Sequence, residues 1–189
     1  MQIKHLPFLS FLRSSLADFS RDERGVSAIE FAIVIPVMCL LAVGSWEVTK
    51  AVLTKRKTAH LATSIANLAS QDDYITVSDQ ATFEDIAEKI LFPYNGFTHR
   101  IGIMGVEVDS DGDLNVSCQF GDAEIDSNTI PEGLRVANTY YVLSAVEVEF
   151  KALNKDVSFL GSKIGLTDMT FRDTALFSPR SDAELNCEE

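Results

Sequence analysis

Histidine, cysteine, tryptophan and proline are all scarce in this chain, and each scarcity closes a door. The three histidines, His5, His60 and His99, are scattered, and the three cysteines, Cys39, Cys118 and Cys187, show no paired metal-ligand spacing. Nothing in that set predicts a zinc or other metal site, which needs His and Cys at short, regular intervals. Gly-x-Ser-x-Gly and phosphate-loop patterns are missing too, so no catalytic residue and no cofactor is expected. Basic residues are outnumbered, 16 Lys and Arg against 28 Asp and Glu, giving a formal net charge of −12. That balance excludes sequence-independent nucleic-acid binding, where Lys and Arg displace phosphate counterions. With five prolines and 46% apolar residues, the chain is also too hydrophobic to be a disordered segment.

What is present is concentrated near the start. Residues 1–24 are mixed in character and end in Arg21-Asp22-Glu23-Arg24. Gly25 follows, and from Phe31 to Trp46 there is no charged residue. Counting from Val26, the run approaches the roughly 20 residues that cross a bilayer core at about 1.5 Å per residue. A secretory signal places its charges, apolar region and small-residue cleavage site in that order. Here the small residue precedes the apolar run. A cut after Gly25 therefore leaves the hydrophobic helix on the mature chain, with a new α-amine at Val26. The competing interpretation is an uncut anchor with a chance glycine in front of it.

Glu30 is the single ionisable group in this stretch. A carboxylate costs about 2–3 kcal/mol at the centre of a membrane helix and less near the interface. It is expected to face a counter-charge, and the α-amine of Val26 on a neighbouring subunit is suited to the role. An ion pair in a low-dielectric bundle would set register, because either charge left alone is expensive. The alternative is a Glu whose head reaches the headgroup region.

The run Arg24-Gly25-Val26-Ser27-Ala28-Ile29-Glu30-Phe31-Ala32-Ile33-Val34-Ile35-Pro36 resembles the start of TadE-like (TadE/TadF) minor pseudopilins of tight-adherence (Tad/Flp) type IV pilus systems. Gly25, Glu30, Phe31 and Pro36 stand at that family's marked positions: the cut, the acid, the following aromatic and the proline. The resemblance covers residues 20 to about 70 and does not separate TadE, TadF and shortened TadG-like proteins. It implies cleavage between Gly25 and Val26 by a prepilin peptidase, other pilins and pilus-assembly proteins as partners, and a single pass through the inner membrane. The leader is then cytoplasmic and the C-terminal domain periplasmic or extracellular. Charge alone does not orient the span, with Arg13, Arg21 and Arg24 before it and Lys50, Lys55, Arg56 and Lys57 after. The leader carries four basic and three acidic residues, so removal takes +1 away and leaves the mature chain at −13.

Pro36 removes one helical hydrogen bond, either kinking the span or simply being tolerated within it. Gly44 and Ser45 permit close helix approach, though no GxxxG is present, and Trp46 sits where an interfacial aromatic belongs. Helical periodicity continues through Ala51, Val52, Ala59, Ala62, Ile65, Ala66, Leu68 and Ala69, predicting one helix from about Ser27 to Ser70. Residues 71–79 are expected as a loop. Asp79 or Ser78 then caps a helix bearing Phe83, Ile86, Ala87, Ile90 and Leu91 and ended by Pro93. Strands are predicted around Ile101–Val108, Leu114–Phe120, Tyr140–Phe150 and Leu166–Phe177, the first two forming a hairpin over Asp109-Ser110-Asp111-Gly112-Asp113.

The alternate aspartates imitate a calcium loop, but Leu114 and Phe120 occupy its Gly and bidentate-acid positions, so a solvated turn is expected. Glu147 and Glu149 share a strand face, which predicts solvent exposure. Cys118 and Cys187 can form a bridge on an oxidising side or remain free thiols, and Cys39 reads as an apolar residue of the span.

The expected fold is α+β: a long N-terminal helix packed on an antiparallel sheet of about four strands, pilin-like in plan. The expected organisation is a leader over 1–25, a membrane helix over 26–48 and a soluble domain over 49–189, in which 49–70 continue the helix and 71–189 form the α+β part. The leading functional expectation is a minor pseudopilin acting by helix packing. The alternative is an uncut, membrane-anchored binding or sensor domain.

Overall fold

The computed structural model describes residues 24–72, 74–94, 96–152, 158–159, 162–163, 168–179 and 185–187. The expected leader, apart from Arg24 and Gly25, lies outside the described residues, as do Leu166 and Thr167 of the fourth predicted strand. The chain divides into two units, Met1–Trp46 and Glu47–Glu189.

Helix α1 spans Arg24–Ala69, 46 residues with Pro36 inside. It starts three positions before the predicted Ser27. In the first unit its apolar side chains are open: Ile29, Phe31, Ile33 and Leu41 are all more than 60% exposed. The most apolar part has a mean hydropathy of 2.5 and no buried residue, and the helix is long enough to cross a membrane.

In the second unit α1 buries a stripe. Glu47, Ala51, Thr54, Thr58, Leu61, Ala62, Ile65, Ala66 and Ala69 recur at three- and four-residue intervals and are all inaccessible. The observed stripe differs from the predicted one. Val52 faces outward, Ala59 and Leu68 are half-buried, and Glu47, Thr54, Thr58 and Leu61 lie inside. The threonine hydroxyls are neutralised locally by donating to the carbonyls of Lys50 and Thr54.

The predicted loop after α1 holds a short strand, β1 (Tyr74–Ile75), and leads into α2 (Val77–Leu91). The cap of α2 is Thr76, two residues before Ser78 and three before Asp79, the predicted caps. Asp79 stands at the third helical position, where its carboxylate accepts from the N–H and hydroxyl of Thr76, at 2.8 Å in each case.

The central sheet contains β2 (His99–Val108), β3 (Leu114–Gly121), β4 (Thr139–Phe150) and β7 (Met169–Phe177) in the order β3-β2-β4-β7, all antiparallel. Two-stranded additions are β5 (Ser158–Phe159) with β6 (Ser162–Lys163), and β8 (Asn186–Cys187), which lies parallel to β1. The fold is α+β, with one long helix and a four-stranded antiparallel sheet. Leu61, Ala62, Ile65 and Ala69 of α1 and Phe83, Ala87 and Leu91 of α2 share one core with Ile101, Ile103, Val142, Val146 and Val148 of the sheet. Ser144, buried in that face, donates to the Ala62 carbonyl at 2.6 Å.

The other sheet face is covered as well. Met104, Val106, Leu143 and Ala145 pack against Ala123, Ile125 and Ile130 from the β3–β4 connection. The chain there lies so close that a Cβ on Gly102 would sit 2.3 Å from the Ala123 carbonyl oxygen, which explains a glycine in the middle of a strand.

Two predictions follow from these contacts. Ile65→Ala should destabilise the chain by about 2–5 kcal/mol, the cost of a large-to-small change in a closed core, read from the denaturation midpoint in detergent. The bonds from Thr76 hold the Asp79 carboxyl below its ordinary value of 3.8. Its contribution is thus complete above 3.8 and is lost as pH falls through the lowered folded value. Amide exchange in the first turn of α2 should be faster in Asp79→Asn than in wild type near neutral pH, and the two should converge in strong acid.

Candidate functional site

The residues singled out by sequence fall in two places. Gly25 and Val26 lie in the first turn of α1, where a Cβ on Gly25 would meet nothing within 4 Å and Val26 is 56% exposed. Glu30 is exposed and stands four residues after Val26, so the two share a helix face. Phe31, next along, is also exposed, Pro36 lies six residues beyond Glu30, and Cys39 is a free, exposed thiol. This surface presents one acid at the edge of an otherwise apolar rod. It offers packing and charge pairing, with no nucleophile–base pair along it.

The second place is the C-terminal clasp. Cys118 of β3 and Cys187 of β8 form a disulfide across 69 positions, with Cα atoms 5.4 Å apart. Around it, Tyr140 donates its hydroxyl to the Leu185 carbonyl at 3.2 Å and accepts from the Leu185 N–H at 3.1 Å. The same hydroxyl meets the Ser117 hydroxyl. Its ring crosses over Gly105, where any Cβ would lie 2.0 Å from the phenol oxygen. Leu185 is buried in the helix-side core, and β8 continues the clasp by pairing with β1. Tyr140 was expected only as the start of a strand, and the parallel β1–β8 pair was not expected, because a two-residue strand carries no periodicity.

Glu147 requires a correction. Expected in solvent, it is 8% exposed and lies between Arg100 of β2, at 2.5 Å, and Arg172 of β7, at 3.4 Å. The register sets Arg100 opposite Glu147 and Glu147 opposite Arg172, so one carboxylate links three strands. Arg172 also donates to the Glu124 carbonyl, fastening the covering segment. Glu149 is partly exposed.

The aspartate turn is self-contained: Asp109 accepts from the N–H groups of Asp111 and Asp113 at 2.8 and 2.9 Å. His60 is exposed, and His99 contacts Glu84 at 2.6 Å. Among the described residues, no three His, Cys, Asp or Glu side chains gather as a metal site.

The family model described as TadE-like protein matches residues 25–66. Over that segment the chain is similar to this family. The match begins at Gly25, continues through Glu30, Phe31 and Pro36, and ends within the buried stripe of α1. That likeness supports a component associated with a tight-adherence pilus. No curated protein and no solved structure matches the chain. The exposed apolar helix near the N-terminus fits a single-pass membrane anchor in such a system.

Removing either end of the clasp tests its weight. Cys118→Ser or Cys187→Ser should cost up to roughly 4 kcal/mol under the chain-entropy model for a loop of this size. The measurement is the denaturation midpoint of the oxidised wild type against each variant. Equal midpoints would remove the disulfide from the account of stability.

Proposed function

We propose that this TadE-like chain is a minor pseudopilin of a tight-adherence pilus, cut between Gly25 and Val26 by a prepilin peptidase in the cytoplasmic membrane. Residues 1–25 are then a cytoplasmic leader, 26–48 the span and 49–189 a domain on the periplasmic or extracellular side. Its work is assembly through helix packing and contact with other pilins and pilus-assembly proteins. One observation carries this reading: an exposed apolar helix whose single acid, Glu30, lies on the same face as the residue that cleavage would make the new terminus.

The physical logic is charge pairing in a medium that penalises lone charges. A carboxylate near the end of an apolar helix is costly until a cation meets it, and the α-amine freed at Val26 of an adjacent subunit is such a cation. The pairing fixes the stagger between neighbours, and the exposed apolar side chains then gain contact along the packed helices. The match of residues 25–66 to the TadE-like family supports this reading. The rival, an uncut anchor carrying a sensor domain, is less well supported. The uncut-anchor reading supplies no cation for Glu30, whereas cleavage supplies one at Val26.

N-terminal sequencing of the protein from its own cells should begin at Val26, and full-length protein in cells that make normal pili would defeat the proposal. Gly25→Leu should block maturation by adding bulk at the cut. Glu30→Leu should leave cleavage intact and reduce incorporation, seen as mature protein in the membrane with few or no pili.

A further inference from the structure

Two lysines of α1 reach sideways in opposite directions within the second unit. Lys55 meets the Asp173 carboxylate at 2.6 Å and the Arg172 carbonyl at 2.7 Å, both on β7. Lys57 donates to the carbonyls of Ile90 and Phe92, at 2.6 Å each, where α2 ends. Residues two apart on a helix point about 200° apart around its axis, so β7 and the end of α2 flank α1 on opposite sides. Arg56 lies between them on the outer side, since Thr54 and Thr58 are buried. It is exposed, and among the described residues no carboxylate pairs with it.

On the β7 flank is an open groove of about 390 Å³, lined by Ala51, Val52, Lys55, Arg56, Met169 and Phe171. Lys55 is already bonded, so the groove offers an apolar floor and one unspent guanidinium. The α2 flank presents the reverse. Phe92 is 66% exposed, and Glu88, one turn before it, is exposed with no cation paired to it among the described residues. The Phe92 N–H still bonds the Glu88 carbonyl at 3.1 Å, so the two keep helical spacing.

From this arrangement we propose that Phe92 and Glu88 of one copy dock in the groove of a second copy of this chain, with the ring over Val52, Met169 and Phe171 and the carboxylate on Arg56. The spacing matches: Glu88 precedes Phe92 by four residues and Val52 precedes Arg56 by four, each about 6 Å of helical rise. With α2 of one copy laid antiparallel to α1 of the next, both contacts form at once. Two copies of a chain at −12 repel at long range, so they meet best where an unpaired cation faces an unpaired acid. Knob and groove lie on opposite flanks of α1, so the contact is heterologous and repeats from copy to copy instead of closing as a two-fold dimer. One ring and one ion pair hold weakly alone, and helices already packed side by side supply the effective concentration that makes them count. For that packing the inference rests on the pseudopilin reading, to which it adds a named partner surface.

The test uses the full chain in its own cells as two differently tagged copies, both carrying Cys39→Ala to remove the free thiol. One copy carries His60→Cys, one turn beyond Arg56, and the other Asp85→Cys, about one turn before Glu88; both positions are exposed and outside the contact. A short bis-maleimide applied to membranes should give mixed-tag dimers, with neither copy linking to its own kind. Arg56→Glu in the first copy, or Glu88→Arg in the second, should lower the yield about fivefold, the weight of one exposed ion pair. Both changes together should restore it, and Phe92→Ala in the second copy should lower it again. A double charge swap that restores nothing would overturn the docking. Same-tag dimers of the His60→Cys copy, adducts to a different protein, or no product from chains that begin at Val26 would each overturn it too and leave the pseudopilin reading standing. Mixed dimers whose chains keep the leader would overturn the pseudopilin reading and leave the contact standing.

Discussion

The burial of Leu61, Ala62, Ile65 and Ala69 against Ile103, Val142, Val146 and Val148 is the contact on which the second unit depends. A helix stripe and a sheet face are each unstable in water alone and gain from covering each other. The small residues Ala62, Ala66 and Ala69 allow α1 to approach closely, and Ser144 uses that proximity to reach a helix carbonyl. The second helix is held by the same core. Around it, the clasp at Cys187 and the Arg100–Glu147–Arg172 row fasten what hydrophobic burial has already gathered.

Different physics governs the first unit. Among the described residues its helix joins no core, and its side chains are exposed along the apolar run. In hydrocarbon, a helix satisfies every backbone group internally, so this segment needs no tertiary partner to remain helical. Specificity then rests on the few places where the apolar surface is interrupted. Glu30 is one, and it carries the proposed register between subunits. Pro36 is another, since it leaves one carbonyl without its helical donor.

The long apolar helix and the four main strands were legible because each depends on a pattern local to the chain. A run without charge marks a candidate span, and alternation over Leu114–Phe120 declares a strand whatever its neighbours are. The α1 stripe was legible only in part. The periodicity pointed to Val52 and passed over Thr54 and Thr58, since hydrophobicity alone cannot tell that a threonine will satisfy its hydroxyl against its own helix. Glu147 was misjudged for a related reason. A glutamate beside another on one face reads as solvated until the register brings an arginine to each side.

By itself, then, the sequence determined what a local pattern can encode: one long N-terminal helix, its charge-free half, the placement of Gly25 and Glu30 at the edge of that half, and an α+β remainder. Tertiary structure alone decided the cover over the second sheet face, the Tyr140 anchor on Leu185, the parallel β1–β8 pair and the arginines on either side of Glu147. Those features join residues tens of positions apart, through contacts that exist only once the strands are in register. No window along the chain contains both partners.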